Sequence, residues 1–304
     1  MKKTFRILGV ALVATAMVFA GCTKSEDEDE EEESSNPLEV TVSQTATTKT
    51  VLIEEFTGNR CSYCPYGHKY ANEVKSALGN KCLVINYHVK TTNNNLSNAY
   101  TTTEGSTLNS AFNVEGGSFG IPAATFNRID FGGSTKITKG IQTSTNTYQP
   151  WAEQVVAMSA CANVAAAATI NKSTRELKVH VKAYYTADGT GTTNKLNIAL
   201  IQNNVMGTQS GSSANPAQVV GSQYRHDEMF RAFLTGQWGE AITPITSGSM
   251  IDKTYTYTIP ESYTCISDGN ASEPAVLDDM EVIVFITEAN TNVVNACKAK
   301  LTLQ

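Results

Sequence analysis

The sequence predicts an α/β domain at residues 49–158 followed by an antiparallel β-sandwich at residues 159–304. Three observations carry this expectation. Residues 51–88 read as strand, helix and strand in turn, each bounded by turn residues. From residue 177 onward, apolar and polar residues alternate with a period of two, the mark of half-buried antiparallel strands. Residues 49–304 are also long enough to hold two cores at ordinary domain size.

Charge sets the first limits on function. Hydrophobic residues make up 41% and charged residues 17%, a composition that folds rather than staying disordered or forming a coiled coil. The formal net charge is −6, yet Glu26 to Glu33 is an unbroken acidic run, and the chain beyond it is almost neutral. No broad positive field is left to bind a phosphate backbone, so nucleic acid is excluded as a partner.

The first residues form an address. Lys2, Lys3 and Arg6 make a positive start, Ile7 to Ala20 is largely apolar, and the small residues Ala20 and Gly21 precede Cys22. That pattern is a secretory signal at residues 1–21, too short to span a membrane. Phe19-Ala20-Gly21-Cys22 resembles the bacterial lipoprotein box, which implies cleavage before Cys22 and a lipidated cysteine; the alternative is ordinary cleavage with Cys22 incidental. Acyl chains there would tether the protein to membrane lipid. Residues 22–48 then form a linker, extended by self-repulsion of the acidic run. An acidic stretch at this place also resembles the surface-export signal of lipoproteins from some Gram-negative anaerobes. Both the periplasmic face and the cell surface stay open.

The elements follow in order. Val51 to Phe56 reads as a buried strand, and Thr-Gly-Asn-Arg as a turn. A helix is expected from about Cys61 to Leu78, ended by Gly79-Asn80, and Cys82 to His88 is a second strand. A shorter helical candidate lies near Glu104 to Phe112, a glycine-rich loop at Gly116 to Gly120, a strand at Pro122 to Asn127, and a helix at Trp151 to Met158. The alternating stretch Leu177 to Ala183 opens the β-rich part, with further strands expected at 195–202, 255–259, 281–287 and 293–303. One amphipathic stretch, Tyr224 to Leu234, interrupts them.

Chemistry concentrates at Cys61-Ser62-Tyr63-Cys64. Seven cysteines less Cys22 leave six in an exported chain, where thiols tend to oxidise. A Cys-x-x-Cys pair at the start of a helix has a mechanical rationale. The unpaired N–H groups and partial positive charge there stabilise a thiolate, so Cys61 can attack a disulfide and Cys64, one turn on, can resolve the mixed disulfide. Arg60 adds positive charge, and Pro65 suits a first helical turn. The alternatives are a static Cys61–Cys64 bridge, or a zinc site completed by His68 with His88 or Cys82, although no second closely spaced pair exists. Cys265 and Cys297 could bridge to each other, whereas Cys82 and Cys161 read as buried small hydrophobes. Gly116-Gly117-Ser118-Phe119-Gly120 fits the nucleophile-elbow spacing, but a strand rather than a helix follows, so no serine hydrolase is expected. Tyr224 to Trp238 holds the densest polar and aromatic cluster of the β-rich part; it could line a binding site, although His226 beside Asp227 reads more readily as a structural pair.

The dithiol region resembles the thioredoxin family. That resemblance assigns Glu55, six residues before Cys61, as buried proton acceptor, and Gly120-Ile121-Pro122 as the cis-proline loop that lies against the dithiol. By the same resemblance Pro122 and the backbone of Ile121 hold a substrate strand, with Arg60 and Tyr63 as flanking contacts. Ser-Tyr stands between the cysteines in place of Gly-Pro, and no Trp precedes them. More widely, the chain resembles outer-membrane lipoproteins related to the 28-kilodalton outer membrane protein of Gram-negative anaerobes. The matching segments are 51–58 leading into Cys61-x-x-Cys64-Pro65-x-Gly67-His68, then Pro122 with Phe126-Asn127-Arg128, Gln202 to Val205, and Tyr224 to Trp238. That resemblance implies a thioredoxin-like domain joined to a β-sandwich and anchored in the outer membrane through Cys22.

Two functions compete. One is a membrane-tethered thiol–disulfide oxidoreductase acting on exported proteins. The other is a surface lipoprotein that binds a partner and keeps Cys61–Cys64 as a structural bridge. Neither calls for a cofactor or a metal.

Overall fold

In the computed structural model, which describes residues 36–89, 100–112, 120–132, 137–265 and 272–304, the first apolar run forms strand β1 (Val51–Thr57), buried along its whole length. It is followed by α1 (Cys64–Leu78), β2 (Cys82–His88), α2 (Thr103–Ala111), β3 (Ala123–Phe126), β4 (Thr138–Gly140) and α3 (Gln149–Val156). Strand β1 runs parallel to β2 and antiparallel to β3, which pairs with β4. Both faces of β1 are covered, which is why its sequence shows no alternation. Val51 and Ile53 pack with Tyr70, Val74, Ala152 and Val155 of the helical layer, while Leu52 and Phe56 pack with Tyr87, Leu108 and Phe112 on the other side. The first helix starts at Cys64 rather than Cys61. Cys61 to Tyr63 form a turn closed by Cys64 N donating to Cys61 O at 3.3 Å, and Pro65 occupies the first helical turn, where it needs no N–H.

Apart from three short 3-10 turns, the regular elements among the remaining described residues are strands: β5 (Ala162–Asn171), β6 (Glu176–Tyr185), β7 (Asn194–Gln202), β8 (Val205–Gly207), β9 (Val219–Val220), β10 (Gln223–His226), β11 (Met229–Phe233), β12 (Glu240–Ile242), β13 (Met250–Thr258), β14 (Ser262–Thr264), β15 (Ser272–Pro274), β16 (Met280–Glu288), β17 (Thr291–Lys298) and β18 (Lys300–Leu303). The protein is thus β-rich, with few helices and several sheets. The largest sheet runs β17-β16-β7-β11-β2-β1-β3-β4, with β12 also on β7; a second runs β13-β6-β5-β18. Leu177, Val179, Val181 and Ala183 of β6 pack against Leu196, Ile198, Leu200, Val282 and Val284 of the large sheet, so the period-two pattern points one side of each strand into a shared core.

Several expectations are corrected here. The large sheet crosses residue 158: Met229 of β11 lies beside Asn86 of β2, and Asn86 N donates to Glu228 O at 2.8 Å. The amphipathic stretch at 224–234 is therefore two strands, one of which links the early and late parts of the chain. The expected strand at 293–303 breaks at Ala299, with β17 in one sheet and β18 in the other. Strand β5 escaped sequence reading because its run of small alanines carries no alternation.

Candidate functional site

Cys61 and Cys64 are joined by a disulfide at the N-terminal end of α1. Cys64 is buried and Cys61 half-buried, so one sulfur reaches toward the surface and the other lies beneath the helix. Tyr63, at the cap position, offers no side-chain hydrogen bond and is 61% exposed, with Arg60 also at the surface.

The two carboxylates at the end of β1 have opposite fates, because successive strand residues face opposite sides. Glu54 points away from α1 and is fully satisfied. Arg128 Nε and Nη2 donate to its two oxygens at 2.6 and 2.7 Å, Tyr87 Oη donates at 2.9 Å, and Thr125 Oγ1 at 3.3 Å. Glu55 points under α1. It is fully buried, and neither carboxylate oxygen has a hydrogen-bond partner. Burial, reinforced by the Glu228 charge, raises its pKa well above the ordinary carboxylate range. Gly67 makes room for it: a Cβ there would overlap the Glu55 carboxylate and come within 3.0 Å of Pro122 Cβ. The Ile121–Pro122 bond is cis, and the Ile121 carbonyl oxygen lies 3.7 Å from Cys61 Sγ. Cys61, Cys64, Glu55, Ile121 and Pro122 are therefore brought to one place. Cys22 and most of the glycine-rich loop at 116–120 lie outside the described residues.

The zinc alternative has no geometric support. His68 Nε2 meets Thr57 Oγ1 at 2.8 Å and its Nδ1 meets Tyr224 Oη at 2.9 Å, while Cys82 and His88 lie at opposite ends of β2. Among the described residues, no three His, Cys, Asp or Glu side chains converge on a metal position. The Cys265–Cys297 bridge is absent as well. Cys265 sits against Tyr100, whose N–H meets its sulfur at 3.1 Å, whereas Cys297 lies in β17; Cys82, Cys161, Cys265 and Cys297 are all unbridged. Burial pushes the Cys82 and Cys297 thiols up to about 12, so neither is a ready nucleophile.

Three features near the disulfide were not recognised from sequence. His68, His88 and His226 are all buried and form one aromatic cluster with Tyr100 and Tyr224, the His88 and His226 ring centroids being 5.2 Å apart. His226 does not pair with Asp227, which instead takes the Arg225 guanidinium at 2.8 Å. Arg128 closes over Glu54. Gln209 reaches back to the backbone before α1. No local spacing marks any of these contacts.

A sequence model of the family described as outer membrane protein Omp28 matches residues 106–304, about two thirds of the chain. No curated protein matches. Among solved structures, HBP35 of Porphyromonas gingivalis is 17% identical over 84% of this chain and 76% of its own, with a TM-score of 0.61. A domain of the outer membrane lipoprotein Omp28 from Porphyromonas gingivalis is 18% identical over 48% of this chain and 91% of its own, with a TM-score of 0.31. The first likeness speaks to fold, and the segment matched by the family model begins after the disulfide. On that match, the chain belongs to the family described as outer membrane protein Omp28.

Proposed function

We propose that this outer membrane lipoprotein is held to lipid through an acylated Cys22, that its thioredoxin-like part at 49–158 and its β-sandwich part at 159–304 share the large sheet, and that Cys61–Cys64 is a thiol–disulfide redox centre for exported proteins. The observation that carries the redox reading is Glu55, a buried carboxylate with no partner beneath the helix that starts at the disulfide. An unpaired buried carboxyl is costly when charged, and a raised pKa favours its protonated form, from which a leaving thiolate can take a proton. In this mechanism Cys61 is the nucleophile, Cys64 resolves the mixed disulfide, and Glu55 exchanges the proton. The Ile121 backbone and Pro122 line the approach to Cys61, beside Arg60 and Tyr63.

A second reading rests on two other observations. The family is described by its place in the outer membrane, and residues from the β-rich part grip the backbone that carries Cys61. On this reading the protein is a surface lipoprotein that binds a partner, and the disulfide is structural.

One titration separates them. The protein is equilibrated with glutathione or dithiothreitol, and thiols are trapped and counted by mass. A reduction potential within roughly −270 to −120 mV, with Cys61 trapped first and Glu55→Gln slowing the exchange, supports the redox centre. A potential below about −300 mV, with no thiol trapped until the chain unfolds, makes the bridge structural and leaves the binding reading. Protease treatment of intact cells then decides surface display, since release without breaking the outer membrane requires an exposed ectodomain.

A further inference from the structure

The approach to the disulfide consists of two consecutive turns. Cys61 N donates to Gly58 O at 3.1 Å, and Cys64 N donates to Cys61 O at 3.3 Å. One distant side chain shares both acceptors. Gln209 Nε2 donates to Gly58 O at 3.2 Å and to Cys61 O at 3.0 Å, from 148 residues along the chain in the second case. The same amide also reaches Ser210 O at 3.1 Å. Around it the grip is continuous: Ser210 N donates to Asn59 O at 2.8 Å, and Asn59 Nδ2 to Thr208 Oγ1 at 3.5 Å. Gly211, with a φ of 70°, lies so close that a Cβ there would overlap the Ser62 carbonyl. Gln209 itself is buried, at 9% exposure. Residues 208–211 thus form a strap, supplied by the β-rich part, across the backbone of 58–62.

We infer that Gln209 is a positioning residue for the Cys61–Cys64 couple, holding the turn at 58–61 so that the two sulfurs stay within bonding reach. It rests on the redox reading only in requiring that the pair can be reduced in the folded protein. In that reaction a glutathione thiolate attacks Cys61 Sγ, the Cys61–Cys64 bond breaks, and Cys64 leaves as a thiolate. A second glutathione thiolate then attacks the glutathione sulfur of the mixed disulfide and releases Cys61. The products are oxidised glutathione and the dithiol, and the two protons of the glutathione thiols end on Cys61 and Cys64. The reverse reaction depends on how often Cys64 finds Cys61, which is an effective concentration set by the backbone between them. Once the disulfide opens, the two turns, the Ser210–Asn59 contact and the Gln209 amide hold that backbone, and of these the amide alone bonds to the Cys61 carbonyl and the Gly58 carbonyl together. Removing the amide lowers the effective concentration and makes the disulfide easier to reduce.

The test compares the full-length protein with Gln209→Ala and Gln209→Met in graded glutathione buffers, with thiols trapped and counted by mass. Met keeps the length of the side chain without donors or charge, so it separates hydrogen bonding from filling of space. Both variants are expected to shift the equilibrium toward the dithiol by about tenfold, equivalent to about 30 mV for this two-electron couple. Gly211→Ala, which pushes the strap off Ser62, should shift it the same way if either variant folds poorly. Wild-type titration by Gln209→Met overturns the inference, whether or not Gln209→Ala moves. The absolute potential of the wild type bears on the redox reading, whereas the difference between wild type and variants bears on Gln209. Where glutathione is too weak, dithiothreitol buffers give the same difference at lower potential.

Discussion

Arg128→Ala is expected to destabilise the protein by about 3–5 kcal/mol, the usual cost of leaving one partner of a buried ion pair alone. Arg128 is about as buried as a side chain can be, at 1% exposure, and Glu54 is fully enclosed. The guanidinium meets both carboxylate oxygens, donates Nη1 to Asn290 O at 3.1 Å, and lies between the Phe112 and Phe285 rings at 5.1 and 5.2 Å. Removing it strands a carboxylate among Phe and Tyr side chains and opens a cavity between α2 and β16. Two hydrogen bonds of the neighbouring Asn127 limit the relaxation. Asn127 Oδ1 accepts from Leu52 N at 2.7 Å and its Nδ2 donates to Thr50 O at 2.9 Å, so the backbone beside Arg128 is pinned to β1. Urea unfolding of the variant measures the loss directly. A loss below about 1 kcal/mol would show that the pair is dispensable. The double variant Glu54→Leu with Arg128→Met should recover most of the stability, because an apolar pair carries no desolvation penalty.

His88→Phe is expected to leave the protein as stable as wild type or more so at pH 7, and markedly less sensitive to acid. Both ring nitrogens of His88 are buried without a hydrogen-bond partner, and such groups cost about 1–3 kcal/mol that an apolar ring of similar shape does not. Burial, reinforced by the charges of His226, His68 and Arg231, drives the pKa of His88 well below the ordinary 6.5; burial likewise takes His68 to about 3 and His226 to about 4. The sign follows from which state takes protons. At pH values above 6.5 all three rings are neutral in both states and stability is complete. As pH falls below 6.5 the unfolded chain gains protons that the folded protein excludes, and stability is lost until the folded values are reached. Each excluded proton contributes about 1.4 kcal/mol per pH unit. Glu55 and Glu228 act in the opposite direction. Burial raises both above 4.5, so above that pH the folded protein keeps protons the unfolded chain has released. Three histidines against two carboxylates leave a net loss on acidification. Relative to wild type, His88→Phe should flatten the dependence of stability on pH between 6.5 and 4.5 by about 1.4 kcal/mol per unit. Denaturant titrations at several pH values test this, and parallel curves for the two proteins would sink it.

Much of the architecture was legible wherever the pattern is local. The buried run at 51–56, the helix ended by Gly79 and the alternation at 177–183 each declare themselves within ten to twenty residues, because one turn or one pleat fixes which side chains share a face. The closely spaced cysteines by the head of a helix were legible from the local pattern, whereas Glu55 beneath and Pro122 alongside were expected only from the resemblance to the thioredoxin family. Strand β5 was not, because alanines that pack closely between sheets leave no polar residues to mark a face. Strand β11 was misjudged for a related reason: Met229 to Phe233 is buried throughout, and a fully covered strand loses its period.

What the sequence determined by itself is the early strand–helix–strand order, the acidic run behind Cys22, and a cysteine pair at the head of a helix. What only the tertiary structure decided is which partners those residues meet. Glu54 and Glu55 are adjacent and chemically alike, yet one is neutralised by Arg128 and the other left unpartnered under α1. His68, His88 and His226 become neighbours only because β10 and α1 close on the same end of β2. The Gln209 amide reaches Cys61 because β7 and β11 lie in the large sheet with β1 and β2, so the segment between them, with β8 and β10 in a small sheet of their own, returns to the early part of the chain. Local hydrogen bonds and side-chain periodicity act over a few residues, whereas these pairings depend on how whole sheets pack, and no nearby residue encodes that.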